Sequence, residues 1–134
     1  MIIKLEIPPM YEEIDKAFNI KGKPVIFTWG NFIYNPEKVK VTRELYLHEE
    51  VHSEQQKGTE LDIALWWGEY IKNPQFRLDM ELPAHRAEYG AYFKRHGGQR
   101  ARTNYLNFVA QRLSSALYGN LISFEKARER IIIG

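Results

Sequence analysis

Two histidines four residues apart, His48 and His52, with Glu49 between them, constrain this chain more than any other feature. The stretch Leu47-His48-Glu49-Glu50-Val51-His52 reads H-E-x-x-H. In an α-helix, positions i and i+4 lie about one turn apart on the same face, so a helical segment points both imidazoles at one metal ion. Glu49 is rotated from His48 by roughly 100°. Its carboxylate can lean over the ion's open side and take a proton from a bound water. That is the arrangement of a zinc hydrolase. The plain alternative is a surface helix that carries two His and several Glu, and Glu50 is expected to be solvated or to support a ligand.

The rest of the ligand set must come from elsewhere. The chain has no Cys, so disulfides and thiolate sites are excluded and ligation falls to His and carboxylates. A length of 134 residues fits one domain, and 44% hydrophobic with 13% aromatic residues is enough for a packed core. Residues Met1 to Pro9 lack the long apolar run of a signal peptide, and no stretch is long enough to span a membrane. A cytoplasmic protein without membrane partners is therefore expected.

Ile2 to Ile7 alternates weakly and suits a strand, and Tyr11 to Ile20 has helical spacing. Val25–Trp29 and Phe32–Tyr34, joined by Gly30-Asn31, read as a hairpin with a two-residue turn. Val39 and Val41 suggest a further extended piece. Thr42 is the N-cap of the motif helix, whose apolar contacts come from Val41, Leu45, Leu47 and Val51, and Gly58 is its stop. Thr59 with Asp62 forms a capping box for a buried helix over Leu61–Ile71, broken by Asn73-Pro74. Residues 75–80 read as a connector. A third helix follows from about Asp79 to Arg95, with Pro83 in its first turn and Gly97-Gly98 closing it. A fourth spans about Thr103 to Tyr118 with Gly119 at its end, and a fifth starts at Ser123 with Ile122 and Ala127 as a staple. Strands first and helices after predict an α+β fold: a small N-terminal antiparallel sheet on a mostly helical remainder. The core of this single domain, 1–134, is expected over about 24–95, with a basic helical extension over about 99–134.

A catalytic zinc wants three protein ligands and an open position. Asp79, Glu81, His85, Glu88 and His96 are the downstream candidates. Glu81 is favoured by its place near a helix start, by small Ala84 and Ala87 that allow close helix approach, and by the Leu61–Ile71 helix that can reverse the chain. His85, one turn on, is the competing ligand and is also a candidate for contact with substrate or transition state, as are Tyr89 and Arg86. Tyr89 also reads as a core aromatic, and His96 as a helix-end cap partner.

These residues resemble those of the zincin metallopeptidases of the gluzincin type, in which H-E-x-x-H supplies two His and a later helix supplies a Glu. His48, Glu49 and His52 match without departure, and Glu81-x-x-Ala84 resembles the E-x-x-A signature of short, minimal gluzincins of bacteria and phages. Gln55-Gln56 and Asn73-Pro74 also look like that group, and the resemblance covers roughly residues 24–95. The thermolysin branch carries N-E-x-x-S-D; here Met80 precedes Glu81, and His85 stands where that branch has Asp. The resemblance implies a zincin-like fold, Zn2+ on His48, His52 and Glu81, Glu49 as general base, and a peptide or protein substrate. It also implies that substrate adds as a strand to a sheet edge, which the hairpin Val25 to Tyr34 could supply.

Charge is uneven. Residues 94–134 hold eight Lys or Arg against Glu125 and Glu129, so this third carries +6 and the rest −4. A solvated helix face explains that, and docking of nucleic acid is the sharper alternative. A non-catalytic binding or phage-assembly module with a basic face is therefore the second functional reading, although binding alone does not require Glu49.

Overall fold

The computed structural model describes residues 1–133, and its architecture is α+β. Strand β1 (Ile2–Lys4) and helix α1 (Tyr11–Phe18) lead into the hairpin β2 (Phe27–Trp29) and β3 (Phe32–Tyr34). Helices α2 (Arg43–Gln55), α3 (Glu60–Lys72), α4 (Pro74–Arg95) and α5 (Gln99–Leu113) follow. A 3-10 turn (Ala116–Tyr118) and α6 (Phe124–Ile133) complete the chain.

The sheet is mixed rather than antiparallel. Its order is β1-β3-β2, with β2 antiparallel and β1 parallel to β3. Parallel neighbours need a crossover, which α1 and β2 provide between β1 and β3. The first strand ends at Lys4, ahead of Pro8-Pro9, and Leu5 and Ile7 are exposed. Gly30 opens the hairpin turn with φ +61°, and a Cβ there would lie 2.9 Å from Ile63 Cδ1, so glycine meets both the turn and the close packing of α3. Val39 and Val41 are not in a strand.

Helix ends follow local chemistry. Thr42 caps α2 by accepting from Leu45 N, and Thr59 with Asp62 forms the capping box of α3. The largest departure concerns α4, which begins at Pro74 instead of Asp79. Asn73 accepts from the N–H groups of Gln75 and Phe76, and Pro74 stands at the first position, where its missing N–H costs little. The expected connector 75–80 is therefore helical, and Pro83 lies in the helix interior, where it deprives the Asp79 carbonyl of its usual donor. Likewise α5 starts at Gln99 and stops at Leu113. The segment to Tyr118 becomes a Ser115-capped 3-10 turn closed by Gly119 at φ +89°. Ser123 caps α6 through its hydroxyl, which accepts from Lys126 N.

Two apolar cores result. One joins the sheet, α1 and α3 through Ile14, Phe27, Trp29, Ile63, Trp66 and Trp67. The other joins α4, α5 and α6 through Leu78, Leu82, Leu106, Val109, Leu113 and Ile131. Helix α3 is not buried all round: Leu61 and Leu65 are 67% and 60% exposed on its far side. Between the cores α2 packs on α4, and here burial inverts expectation. The buried residues of α2 are polar (Glu44, His48, Glu49 and His52), whereas Leu45, Leu47 and Val51 are only half-buried. Facing them on α4 are Glu81, His85 and Glu88, also buried, while Arg77 of the same helix is buried against the carbonyls of Tyr70 and Tyr118. Buried charge of this density persists only where it is paired or binds an ion.

Candidate metal centre

The spacing of α2 turns His48 and His52 towards Glu81 of α4. His48 Nε2 lies 3.3 Å from Glu81 Oε1, and His52 Nε2 lies 3.2 Å from Glu81 Oε2. All three side chains are at most 5% exposed. Both imidazoles are held from behind. His48 donates from Nδ1 to Glu88 Oε1 at 2.9 Å, and His52 donates from Nδ1 to Gln55 Oε1 at 2.9 Å. Gln55 is fixed in turn by donating to the Met80 carbonyl. These bonds set the tautomers and leave both Nε2 lone pairs aimed at the carboxylate.

This donor set fits a divalent ion. Bonds of about 2.0–2.1 Å in a tetrahedron place neighbouring donor atoms roughly 3.3–3.4 Å apart, close to the two spacings found. Glu81 Oε1 is buried without a hydrogen-bonding donor, and Tyr70 donates to the other oxygen at 2.5 Å. Two neutral imidazoles and one carboxylate would give such an ion three protein ligands, the number found at catalytic zinc sites.

Glu49 stands beside the centre, its Oε2 3.6 Å from His48 Nε2. The Thr28 hydroxyl of β2 donates to Glu49 Oε1 at 2.8 Å and fixes it. Behind His48, Glu88 also accepts from Tyr105 Oη at 3.1 Å and Arg112 Nη1 at 2.6 Å. Burial alone would raise the Glu88 pKa; the bond from His48 and the Arg112 guanidinium outweigh it and bring it to about 2. Glu81 is likewise held well below the usual carboxylate range, burial being outweighed by His52 and His48.

His85 forms a second close group with His48 and Glu88. Its Nδ1 donates to the Glu81 carbonyl at 2.8 Å, its ring lies 4.6 Å from that of His48, and it is fully buried. Burial and the neighbouring His48 hold it neutral, with a pKa of about 3. In this group the acceptor Glu88 is already matched by three donors, so the Glu81 trio is the better cage. The other two candidate contacts lie apart. Tyr89 packs on the α4–α6 core and against Phe93, and Arg86 donates to the Arg130 carbonyl. His96 caps α4 through its N–H to Tyr92 and stacks on the Tyr92 ring at 3.9 Å.

Thr28, Tyr70, Arg112 and Tyr118 were not singled out by sequence, because each reaches the centre from a different element. Tyr118 lines both cavities that meet at Glu49. Burial, then Glu81, pushes its hydroxyl well above the usual value, so it stays protonated. The basic third is partly consumed in the same way. Arg95 pairs with Glu44, Arg102 caps carbonyls of His96 and Phe93, and Arg112 pairs with Glu88. No helix among the described residues is long and apolar enough to cross a membrane.

In protein stripped of metal, His48 has a pKa raised to about 10: burial opposes its charge, but Glu49, Glu81 and Glu88 outweigh burial. His52 shifts in the same direction, burial being outweighed by Glu81. A folded-state pKa above the usual 6.5 means the proton stabilises the fold fully below about pH 6.5. That contribution is lost as the pH climbs towards 10. Chelator-treated protein is therefore expected to melt at a lower temperature at pH 9 than at pH 6.5. A melting temperature that rises across this window contradicts the assignment.

Comparison of the chain with protein-family models, curated proteins and solved structures yields no match.

Proposed function

We propose that this chain is a zinc-dependent peptidase of the zincin type. The observation that carries the reading is the convergence of His48 Nε2, His52 Nε2 and the Glu81 carboxylate, with Glu49 fixed beside them by Thr28. A metal-binding module without chemistry has no need of that fourth, separately anchored carboxylate.

His48, His52 and Glu81 would hold the ion. Zinc bound there supplies Lewis acidity towards a carbonyl oxygen and makes a water acidic near neutral pH. Glu49 takes the water's proton and passes it to the leaving nitrogen. Glu88 and Gln55 keep the two imidazoles in the tautomer that turns Nε2 inward. Tyr118, protonated and in the same cavity, suits the donor that meets negative charge developing on the carbonyl oxygen. Tyr89 and Arg86 have no place in this scheme.

The test is metal analysis of purified protein. Wild type is expected to hold about one zinc per chain, and His52→Ala is expected to lose it and all hydrolysis, because two ligands rarely retain zinc. Full zinc occupancy in His52→Ala would remove the proposed ligand set. The alternative, a binding or phage-assembly module with a basic face, gains no specific observation, since Arg95, Arg102 and Arg112 are engaged within the fold.

A further inference from the structure

The sheet edge nearest the centre is open at one end and closed at the other. The hairpin register pairs Trp29 with Phe32 and Phe27 with Tyr34, and Thr28 turns its carbonyl outward, away from β3. That carbonyl is already occupied: Gln56 Nε2 and Trp67 Nε1 both donate to it at 3.0 Å. The other end of the Gln56 carboxamide accepts from Gly30 N at 2.8 Å. Gln56 is 2% exposed and bridges the edge as a neighbouring strand would. Ser53 Oγ takes the Gly30 carbonyl as well, at 2.7 Å. An extended substrate cannot pair with the edge beyond Thr28. Two residues upstream, Ile26 lines both cavities, and among the described residues no hydrogen bond is made to its backbone.

The space on either side of Glu49 is equally lopsided. On the Ile26 side a cavity of about 550 Å3 runs between residues 24–26, the end of α4 and α5. That is ample for several residues of a bound peptide. On the Gln56 side the cavity holding His48, His52 and Glu81 has only about 70 Å3 and ends against Phe18, Trp66 and Tyr70. A cavity of roughly 150 Å3 holds one benzene. An ion and its water would share this space, so the closed side admits no more than one small residue beyond the reacting bond.

Two arguments say which end of the peptide enters. No Lys or Arg lines the small cavity, whereas the carboxylates of Glu49 and Glu81 do. A terminal carboxylate would find no basic side chain to pair with there. Independently, an incoming strand that pairs antiparallel with the Ile26–Thr28 edge points its amino end at Thr28, the closed end. Antiparallel pairing is the more stable mode per residue.

Building on the peptidase reading above, we propose that the chain is an aminopeptidase that removes a single small residue from an unstructured peptide. Water adds across the first peptide bond: hydroxide goes to the carbonyl carbon and the proton to the nitrogen. The products are a free small amino acid and a peptide shortened by one residue, with a new ammonium terminus.

The test uses the zinc-loaded full chain and an alanine-initiated hexapeptide in three forms: unblocked, amino-acetylated and carboxy-amidated, with products read by mass. Loss of one alanine from the unblocked and amidated forms is expected, with the acetylated form at least about tenfold slower. Internal fragments from the acetylated form, or release from the carboxyl end, overturn the proposal. A second measurement does not need turnover. Hexapeptides with a ketomethylene group in place of the first amide are titrated by calorimetry, with the amino end free or acetylated. The free form is expected to bind at least about tenfold tighter, and equal affinities overturn the proposal. If neither substrate peptide is hydrolysed yet the binding difference stands, the peptidase reading fails and the assignment of the cleft's closed end survives.

Discussion

Replacing Glu49 with Gln is expected to abolish peptide hydrolysis while leaving the bound metal in place. Glu49 is 5% exposed and is not one of the three proposed ligands, so the trio of His48, His52 and Glu81 stays intact. A glutamine carboxamide has nearly the same shape, and its oxygen can still accept from the Thr28 hydroxyl. What disappears is the ability to accept and return a proton. A positioned general base is worth on the order of 10²–10⁴-fold in rate. The measurement pairs metal content with initial rates on peptide substrate. Zinc retained with at least a hundredfold loss of rate is the expected result, and turnover near the wild-type rate removes Glu49 as the base. This variant separates chemistry from ligation, which His52→Ala cannot do.

The second large effect is expected at Glu88, a residue that touches neither substrate nor ion. Glu88→Ala takes the acceptor from His48 Nδ1, Tyr105 Oη and Arg112 Nη1 together. Breaking a buried ion pair by removing one partner costs about 3–5 kcal/mol. The Arg112 side chain keeps 26% exposure, so the lower end applies, about 3 kcal/mol, lowering the melting temperature by on the order of 10 °C. Zinc affinity is expected to fall by about 10–100-fold, because His48 loses the bond that orients it. Glu88→Gln keeps one acceptor oxygen, enough for His48 or for Arg112 but not for both, and should recover only part of the stability. Unchanged zinc affinity in Glu88→Ala, measured by competition with a chromophoric chelator, would exclude the positioning role.

The motif pair was legible because both imidazoles sit on one helix, where spacing alone determines their shared face. Glu81 was legible for a partly wrong reason. Its place near a helix start does not hold, since α4 begins seven residues earlier, but fully buried Ala84 marks the close approach of helices. Pro83 misled because proline is read as a helix start, whereas here Asn73-Pro74 already supplies one. The strand character of Ile2–Lys4 followed from its composition, yet alternation within a strand says nothing about its partner, and so the parallel pairing with β3 was invisible. Thr28, Tyr70, Arg112 and Tyr118 escaped for the same reason, as did the part Gln56 plays at the sheet edge. The bonds that bring Thr28, Gln56, Tyr70 and Arg112 into place span 11 to 28 residues of chain, and helix periodicity reports only three or four. The one available hint was the Glu81–His85–Glu88 spacing, which places three titratable groups on one helix face.

The link from Arg112 through Glu88 to His48 has a consequence in time. During synthesis His48, His52 and Glu81 are all present once Glu81 has been added, but the guanidinium that balances Glu88 arrives 24 residues after Glu88 itself. Until α5 has docked, Glu88 lacks Tyr105 and Arg112, and of its three donors only His48 is in place. The donor set of Glu88 is therefore complete only once the last quarter of the polypeptide, which carries Tyr105 and Arg112, has been made.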